Sequence, residues 1–253
     1  MSAPKRFANG VTNVGTSDPF SQLGMLDPTK YHIFFRDFDK FDPNEWITQR
    51  SETYVGNTAL ATTVTDSYEQ VADGRDGILS IVTSVNDNDY AFFQRGRTIK
   101  SSTSAYGESF ALASGKKVWF KARLKADDVD ACSLKTGLVV IDSTDPIETA
   151  NADGLWFYSA DGSTNLDFYT YKSSAGTISD TGITTIADDT YFTISFYFDG
   201  TSYIRYYVNG NLEGEASTSS YPTTELAPSF GIMNGSAAQS TLSIDYICAI
   251  EER

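Results

Sequence analysis

Few side chains in this sequence combine the residue type and the spacing that catalysis or metal binding requires. The chain has one histidine, His32, which stands beside the apolar run Ile33-Phe34-Phe35. We expect His32 to be a packing or surface residue, since a serine triad or a histidine-rich metal site needs partners that the sequence lacks. Cys132 and Cys248 have no metal-ligand spacing. We predict that they are free thiols, because a cytoplasm keeps thiols reduced.

Acidic loops and tyrosines are the remaining candidates for ligand binding. Calcium takes its ligands from carboxylate and carbonyl oxygens, which gather in three segments: Asn86–Asp89, Asp127–Asp130 and Asp153-Gly154. None of these has the regular alternation of a calcium loop, so we predict acidic turn residues. Tyr169 and Tyr171 are candidates for stacking on sugar rings. Half the tyrosines of a sandwich this size face the core or a rim, so we assign no glycan site.

Composition describes a folded, acidic domain. The chain has 253 residues, 40% of them hydrophobic and 13% aromatic, with a formal net charge of −14. That apolar content is ample for a core and argues against disorder. The negative charge repels nucleic acid and anionic membranes, so we expect neither as a partner. No secretory signal and no 18-residue apolar run is present, which favours synthesis in a cytoplasm.

Residues 1–30 form a leader of different character. Turn residues recur every few positions, and no strand or helix period develops around the scattered apolar side chains, which include Phe7, Phe20 and Leu26. One interpretation is a flexible or self-packed leader. The other, which we favour, is an extended arm that is buried on a neighbouring chain while residues 31–253 fold without it.

Short alternating runs, about ten residues apart, fill the rest of the chain and predict an antiparallel β-sandwich or barrel without βαβ units. A short helical turn near 127–131 or 145–150 is an open alternative. The predicted strands are Tyr31–Phe35, Trp46–Tyr54, Thr58–Thr65, Gly77–Ser84, Tyr90–Arg95, Glu108–Ala111, Lys117–Lys125, Leu134–Asp142, Gly154–Ala160, Asn165–Lys172, Thr177–Thr184, Tyr191–Phe198, Tyr203–Val208, Asn211–Ala216, Pro228–Met233 and Ser240–Glu251.

Two segments have a clear strand period. In residues 190–217, turns at Asp199-Gly200 and Asn209-Gly210 divide three strands into a meander, and Asn-Gly suits a type I′ turn. In the closing strand, the period of two places Leu242, Ile244, Tyr246 and Cys248 on one face.

Three segments of the chain resemble concanavalin A-like lectin/glucanase domains of tailed-phage virion proteins: Phe34-Phe-Arg-Asp-Phe38 with Trp46, Gly115–Arg123, and Pro228–Arg253. The leader, with Arg6–Asn13 and Leu26–Lys30, is also similar to leaders of those proteins. This resemblance implies an all-β, two-sheet antiparallel jelly-roll sandwich with an extended N-terminal arm. It also implies a location in the virion after synthesis in the host bacterial cytoplasm.

Related retaining glucanases carry Glu-x-Asp-x-(x)-Glu on one strand, so that two carboxylates lie about 5–5.5 Å apart. No such triplet is present. Glu148 falls in a loop, and the other candidates lack the remaining members: Glu213, Glu215, Glu251, Glu252, Asp161 and Asp167. We therefore predict that the chain is not an enzyme and assign no catalytic, cofactor-binding or metal-binding residues.

The function expected from these observations is that of a virion structural protein, with capsid decoration or cementing favoured. A trimeric tail fibre is expected to show heptads or β-helix repeats, and neither is visible. The alternative is a glycan-binding module of a head or tail fibre, and a degenerate glycoside hydrolase comes third. Expected partners are the major capsid protein or neighbouring copies in a homo-oligomer, with a host glycan as a further candidate.

Overall fold

The computed structural model describes residue 20 and residues 27–50, 67–70, 77–98, 105–107, 109–141, 147, 153–172, 175–217 and 221–253. Side chains are described throughout these ranges except at 67–70, 97–98, 105–106 and 175–179. The predicted strand Thr58–Thr65, the end of Trp46–Tyr54, the helical turn near 145–150 and Glu148 lie outside them. Among the described residues, no helix is long and apolar enough to cross a bilayer.

Two antiparallel eight-stranded sheets make up the described fold. Sheet A contains β1 (Tyr31–Arg36), β3 (Ser67–Gln70), β4 (Leu79–Val82), β9 (Val118–Ala126), β14 (Phe192–Phe198), β15 (Tyr203–Val208), β16 (Asn211–Ser217) and β18 (Thr241–Glu252). Sheet B contains β2 (Trp46–Arg50), β5 (Tyr90–Arg95), β8 (Phe110–Ala111), β10 (Cys132–Val139), β11 (Gly154–Ser159), β12 (Asn165–Lys172), β13 (Ala175–Thr185) and β17 (Glu225–Asn234). A small ribbon pairs β6 (Arg97–Thr98) with β7 (Ala105–Tyr106).

Strand order shows the crossovers of a jelly roll. Sheet A runs β16-β15-β14-β9-β18-β4-β3, with β1 also paired to β18, and sheet B runs β13-β12-β11-β10-β17-β5-β2, with β8 paired to β17. Strands that are far apart in sequence therefore lie side by side in both sheets. This architecture confirms the predicted all-β, two-sheet sandwich.

The core lies between the sheets and is rich in aromatic rings. Phe168 of sheet B lies 4.4 Å from Tyr206 and 5.9 Å from Phe196 of sheet A, between ring centroids. All three side chains are fully buried. Each such burial contributes about 1.5–3 kcal/mol relative to exposure, so these contacts hold the two sheets together.

The meander in residues 190–217 forms as predicted. Phe192, Ile194, Phe196 and Phe198 of β14 all face the inter-sheet core, as the period of two requires. The turn between β15 and β16 has φ of 50° at Asn209 and 80° at Gly210. Positive φ at both positions is what a type I′ turn requires.

The closing strand departs from its predicted faces. Leu242 and Ile244 point into the core as expected, but Ile247 and Ala249 also do, while Cys248 packs on the outer face. The cause is a β-bulge between Ile244 and Tyr246, opposite Leu124 and Arg123 of β9. One extra residue in a strand reverses the side on which every later side chain points. Assigning Cys248 to the face of Leu242 was therefore wrong.

Several smaller predictions are settled by the described residues. Residues 127–131 contain bends, and β10 begins at Cys132, so the helical turn left open for 127–131 does not form. Cys132 faces the core and Cys248 the outer side of sheet A, and both are free. The division into an arm of residues 1–30 and a domain of residues 31–253 stays a prediction.

Candidate functional site

The outer face of sheet B carries adjoining aromatic side chains from two neighbouring strands. Trp156 of β11 is paired with Tyr169 of β12, and Tyr158 is paired with Asp167. Because side chains alternate along a strand, Trp156 and Tyr158 both point away from the core, as do Tyr169 and Tyr171. These four side chains are called the aromatic platform below.

Ring geometry shows that the platform is one packed surface. The ring of Trp156 lies 4.9 Å from that of Tyr171 and 5.9 Å from that of Tyr169, with nearly parallel planes. Tyr158 meets Tyr169 edge-on at 5.8 Å. Trp156 and Tyr171 are buried, whereas Tyr158 and Tyr169 are half-buried. The two half-buried rings are thus positioned by the two buried ones and offer their free surface to solvent.

Small residues lie beside the platform on the central strands. Trp156 is paired with Gly137 of β10, Gly137 with Ser229 of β17, and Ser229 with Gln94 of β5. These four residues form one row across the sheet, in which the aromatic ring is followed by a glycine, a serine and an amide side chain. All three of Gly137, Ser229 and Gln94 are buried, so this row is a packed part of the sheet beside the platform.

Two amide side chains beside the platform are hydrogen-bonded within the protein. Gln94 is fully buried, and its Nε2 donates to the Val140 carbonyl at 3.0 Å and to Ser229 Oγ at 3.2 Å. Gln49 Nε2 donates to Gln94 Oε1 at 3.2 Å. Gln49 Oε1 is buried and accepts no hydrogen bond in the described part of the chain.

A buried cation and an apolar side chain complete this face. Lys135 Nζ lies 4.3 Å from the ring centroid of Trp156, in a cation–π contact that holds the charge against the platform. Ile147, between β10 and β11, packs against Phe92 and Met233 and covers the neighbouring part of the face.

Burial and a nearby carboxylate together raise the pKa of Tyr169 to about 12. The Tyr169 hydroxyl donates to Asp167 Oδ2 at 3.3 Å, and Asp167 Oδ1 accepts from the Gly182 N–H at 2.7 Å. A phenol is neutral near physiological pH in any case, and the raised pKa extends the neutral form of Tyr169 above pH 10. The platform therefore presents neutral rings, and the hydroxyl of Tyr169 is held by Asp167.

The sequence indicated part of this site. Tyr169 and Tyr171, the two candidates for sugar stacking, are both on the platform. Trp156, Tyr158 and Lys135 were missed. Two aromatic residues two positions apart, as in Trp156-x-Tyr158, share a strand face, and that spacing could have found them.

Two of the acidic segments are fixed by hydrogen bonds to residues near them and on neighbouring strands. In Asn86–Asp89, Ser84 donates its hydroxyl to the Asp89 carboxylate, and Asn234 Nδ2 donates to the Asn86 carbonyl at 2.6 Å. Asp127 Oδ1 accepts from the Thr241 N–H at 2.7 Å. Among the described residues, no three His, Cys, Asp or Glu side chains are grouped as metal ligands.

The carboxylates considered for glycoside hydrolysis lie on different sheets. Glu213 and Glu215 belong to β16 and Glu251 and Glu252 to β18, all in sheet A. Glu215 pairs with Arg205 at 2.9 Å, and Glu252 lies 3.6 Å from Lys117 Nζ.

On sheet B, Asp167 lies beside the platform, and Asp161 lies in the exposed turn between β11 and β12. His32, also considered for catalysis, packs against Phe110 with tilted rings whose centroids are 4.7 Å apart, and burial lowers its pKa.

Comparisons with known proteins define the fold class. No protein-family model matches the chain, and no curated protein sequence matches it. A β-glucanase of Bacillus licheniformis superposes with a TM-score of 0.54 at 16% identity, over 86% of this chain and 97% of that one. The carbohydrate recognition domain of Emp46p gives 0.53 at 9% identity, over 84% and 93%. The chain therefore has the fold of a concanavalin A-like jelly roll, which these glucanase and carbohydrate recognition structures share.

The prediction that the chain is not an enzyme is wrong, because the reason given for it does not hold. It rested on the missing carboxylate triplet, which excludes one hydrolytic mechanism only. The endo-β-1,4-glucuronan lyase of the fungus Trichoderma reesei has the same fold, with a TM-score of 0.52 at 5% identity over 79% of this chain and 93% of that one. Proteins of this fold thus include enzymes that cleave polysaccharides in more than one way, so the absence of the triplet does not exclude activity.

Proposed function

We propose that this protein is a glycan-binding domain whose ligand stacks on Tyr158 and Tyr169, the two rings of the aromatic platform that reach solvent. The observation that carries the proposal is the set of four packed rings, Trp156, Tyr158, Tyr169 and Tyr171, on one outer sheet face. Aromatic faces contact the C–H surfaces of sugar rings, and fixed polar groups beside them bind hydroxyls. The glucanase and lectin folds of the structural neighbours support this assignment.

The polar surroundings favour a neutral, hydroxyl-rich ligand. Tyr169 is uncharged near neutral pH, and its hydroxyl donates to Asp167 Oδ2 at 3.3 Å. The charge of Lys135 is buried against Trp156 and does not face solvent. The overall charge of −14 opposes polyanions at long range. Neutral β-glucans are accordingly the first ligands to test.

Calorimetric titration with a panel of soluble polysaccharides tests the proposal. Tyr158→Ala and Tyr169→Ala should each weaken binding about tenfold, which corresponds to about 1.4 kcal/mol. Tyr203→Ala is the matched control, because Tyr203 is half-buried on the outer face of sheet A. Absence of binding across the panel, or an equal loss in the Tyr203 variant, would contradict a role for the platform. The same mixtures, assayed for reducing ends and for unsaturated products, reveal any cleavage.

A location on a phage particle remains a prediction from the sequence resemblance. We propose that the domain serves as the glycan-binding part of a head or tail fibre. Capsid decoration, contacts with the major capsid protein and homo-oligomerisation stay predictions as well. Quantitative mass spectrometry of purified particles would detect the protein and give its copy number, and failure to find it on particles would remove this part of the proposal.

A further inference from the structure

A second aromatic cluster lies on the outer face of sheet A. It contains Trp119 of β9, Tyr197 of β14, Tyr207 of β15 and Ile250 of β18, and each of these side chains points away from the inter-sheet core. The ring of Trp119 lies 5.4 Å from that of Tyr197 and 6.1 Å, edge-on, from that of Tyr31. An apolar surface of this kind normally contacts another segment or another molecule.

Phe20 of the leader is buried in this cluster. Its side chain is 8% exposed, although it precedes β1 by eleven residues. Lys121 Nζ, on the same face, lies 5.1 Å from the centroid of the Phe20 ring. Phe20, which lies outside the two sheets, is therefore anchored in the cluster, and the cation of Lys121 lies against its ring.

Chain connectivity indicates which molecule supplies the anchor. Tyr31 and Ile33, at the start of β1, pack against the same cluster as Phe20. Eleven residues reach at most about 36–40 Å when fully extended, so the leader of the same chain easily spans the distance. No second copy is needed to place Phe20 there.

We propose that the outer face of sheet A is the docking surface for this chain's own N-terminal segment, with Phe20 as its anchor. The inference is independent of glycan binding, which concerns the other sheet. It replaces the expectation that the apolar side chains of the leader are buried only on a neighbouring chain.

The chemical reactivity of the two cysteine thiols can report whether this docking takes place. Cys248 is half-buried and packs against the cluster, and burial raises its pKa to about 12. Cys132 is fully buried in the core between the sheets. Loss of the anchor should expose Cys248 and leave Cys132 protected. A rise in reactivity at both thiols would instead signal general unfolding.

Alkylation of the full-length protein by iodoacetamide, quantified by mass spectrometry for each cysteine, tests the proposal. Phe20→Ala should raise the rate at Cys248 at least tenfold and lower the thermal midpoint by at least about 2 °C. Phe20→Leu keeps an apolar anchor and should stay within about twofold of the wild type. Leu212→Ala, at a side chain 54% exposed on β16, is the surface control and should change neither quantity.

Two results would overturn the proposal. Unchanged reactivity of Cys248 in Phe20→Ala would show that Phe20 does not cover the face. A dimer that dissociates in Phe20→Ala, with Cys248 protection that depends on protein concentration, would show that the anchor comes from a neighbouring chain. That second result would support the arm predicted from the sequence.

Discussion

Gly137 connects the packing of sheet B to the aromatic platform on its outer face. A Cβ placed on Gly137 would lie 2.1 Å from the Leu155 carbonyl oxygen and 2.6 Å from the Trp156 Cα. Both atoms belong to the backbone of β11, which cannot move aside without changing the β10–β11 pairing. The absence of a side chain at this position therefore lets the strand that carries Trp156 and Tyr158 approach β10.

Gly137→Ala should consequently reduce both stability and glycan affinity. We expect a loss of about 1–3 kcal/mol in the free energy of unfolding, as for other overpacked sites, and a weaker titration because the platform is displaced. Gly214→Ala is the matched control, since its Cβ would lie 2.2 Å from the Tyr206 hydroxyl oxygen in sheet A. That variant should lose stability only. Urea unfolding and calorimetry on both variants measure the two effects, and full affinity in Gly137→Ala would contradict the argument.

The hairpin between β15 and β16 depends on a residue other than glycine in a left-handed backbone conformation. Asn209 has a φ of 50°, its Oδ1 accepts from the Thr193 N–H at 2.9 Å, and its own N–H donates to the Thr193 carbonyl at 2.7 Å. Asparagine tolerates this conformation better than other side chains. Asn209 thus fixes the turn and also ties it to β14.

Asn209→Ala should lower the free energy of unfolding by about 1–3 kcal/mol, from added backbone strain and one lost side-chain hydrogen bond. Asn211→Ala, two residues further on at an exposed position, is the control and should change it by less than about 0.5 kcal/mol. Equilibrium denaturation in urea provides the comparison. Equal losses in the two variants would mean that the turn geometry does not set the stability of the hairpin.

At the level of strands, the alternating sequence pattern predicted the bounds of several strands. The position of the bulge and the contacts across the sheet depend instead on which strands pair. Tyr90–Arg95, Asn165–Lys172 and Tyr203–Val208 have the predicted bounds. The bulge in β18 was not predictable, because it arises where β18 meets β9, more than a hundred residues earlier in sequence. The platform was partly hidden for the same reason. Spacing places Tyr169 and Tyr171 on one face, but the pairing of β11 with β12 brings Trp156 against them.

Across the whole molecule, buried phenols on both sheets couple stability to alkaline pH. Burial is the main cause that raises the pKa of Tyr169 on sheet B and that of Tyr197 on sheet A to about 12, and it also raises that of Tyr206 between the sheets. An unfolded chain ionises its tyrosines near pH 10. The folded state therefore holds protons that the unfolded state releases between about pH 10 and 12, and unfolding becomes more favourable as the pH rises through that window.

The stabilising contribution of these neutral phenols should be complete below about pH 10 and should be lost progressively above it. A Tyr169→Phe/Tyr197→Phe double variant keeps both rings and removes both ionisable groups, so its midpoint in urea should fall less steeply from pH 9.5 to 11.5 than that of the wild type. General charge repulsion grows with pH in both proteins and cancels in the comparison. Ultraviolet titration of the folded wild type should in turn show phenols that resist ionisation at pH 11. Parallel declines of the two proteins across this range would show that Tyr169 and Tyr197 ionise alike in the folded and unfolded states, and the link between sheet burial and alkaline stability would then be wrong.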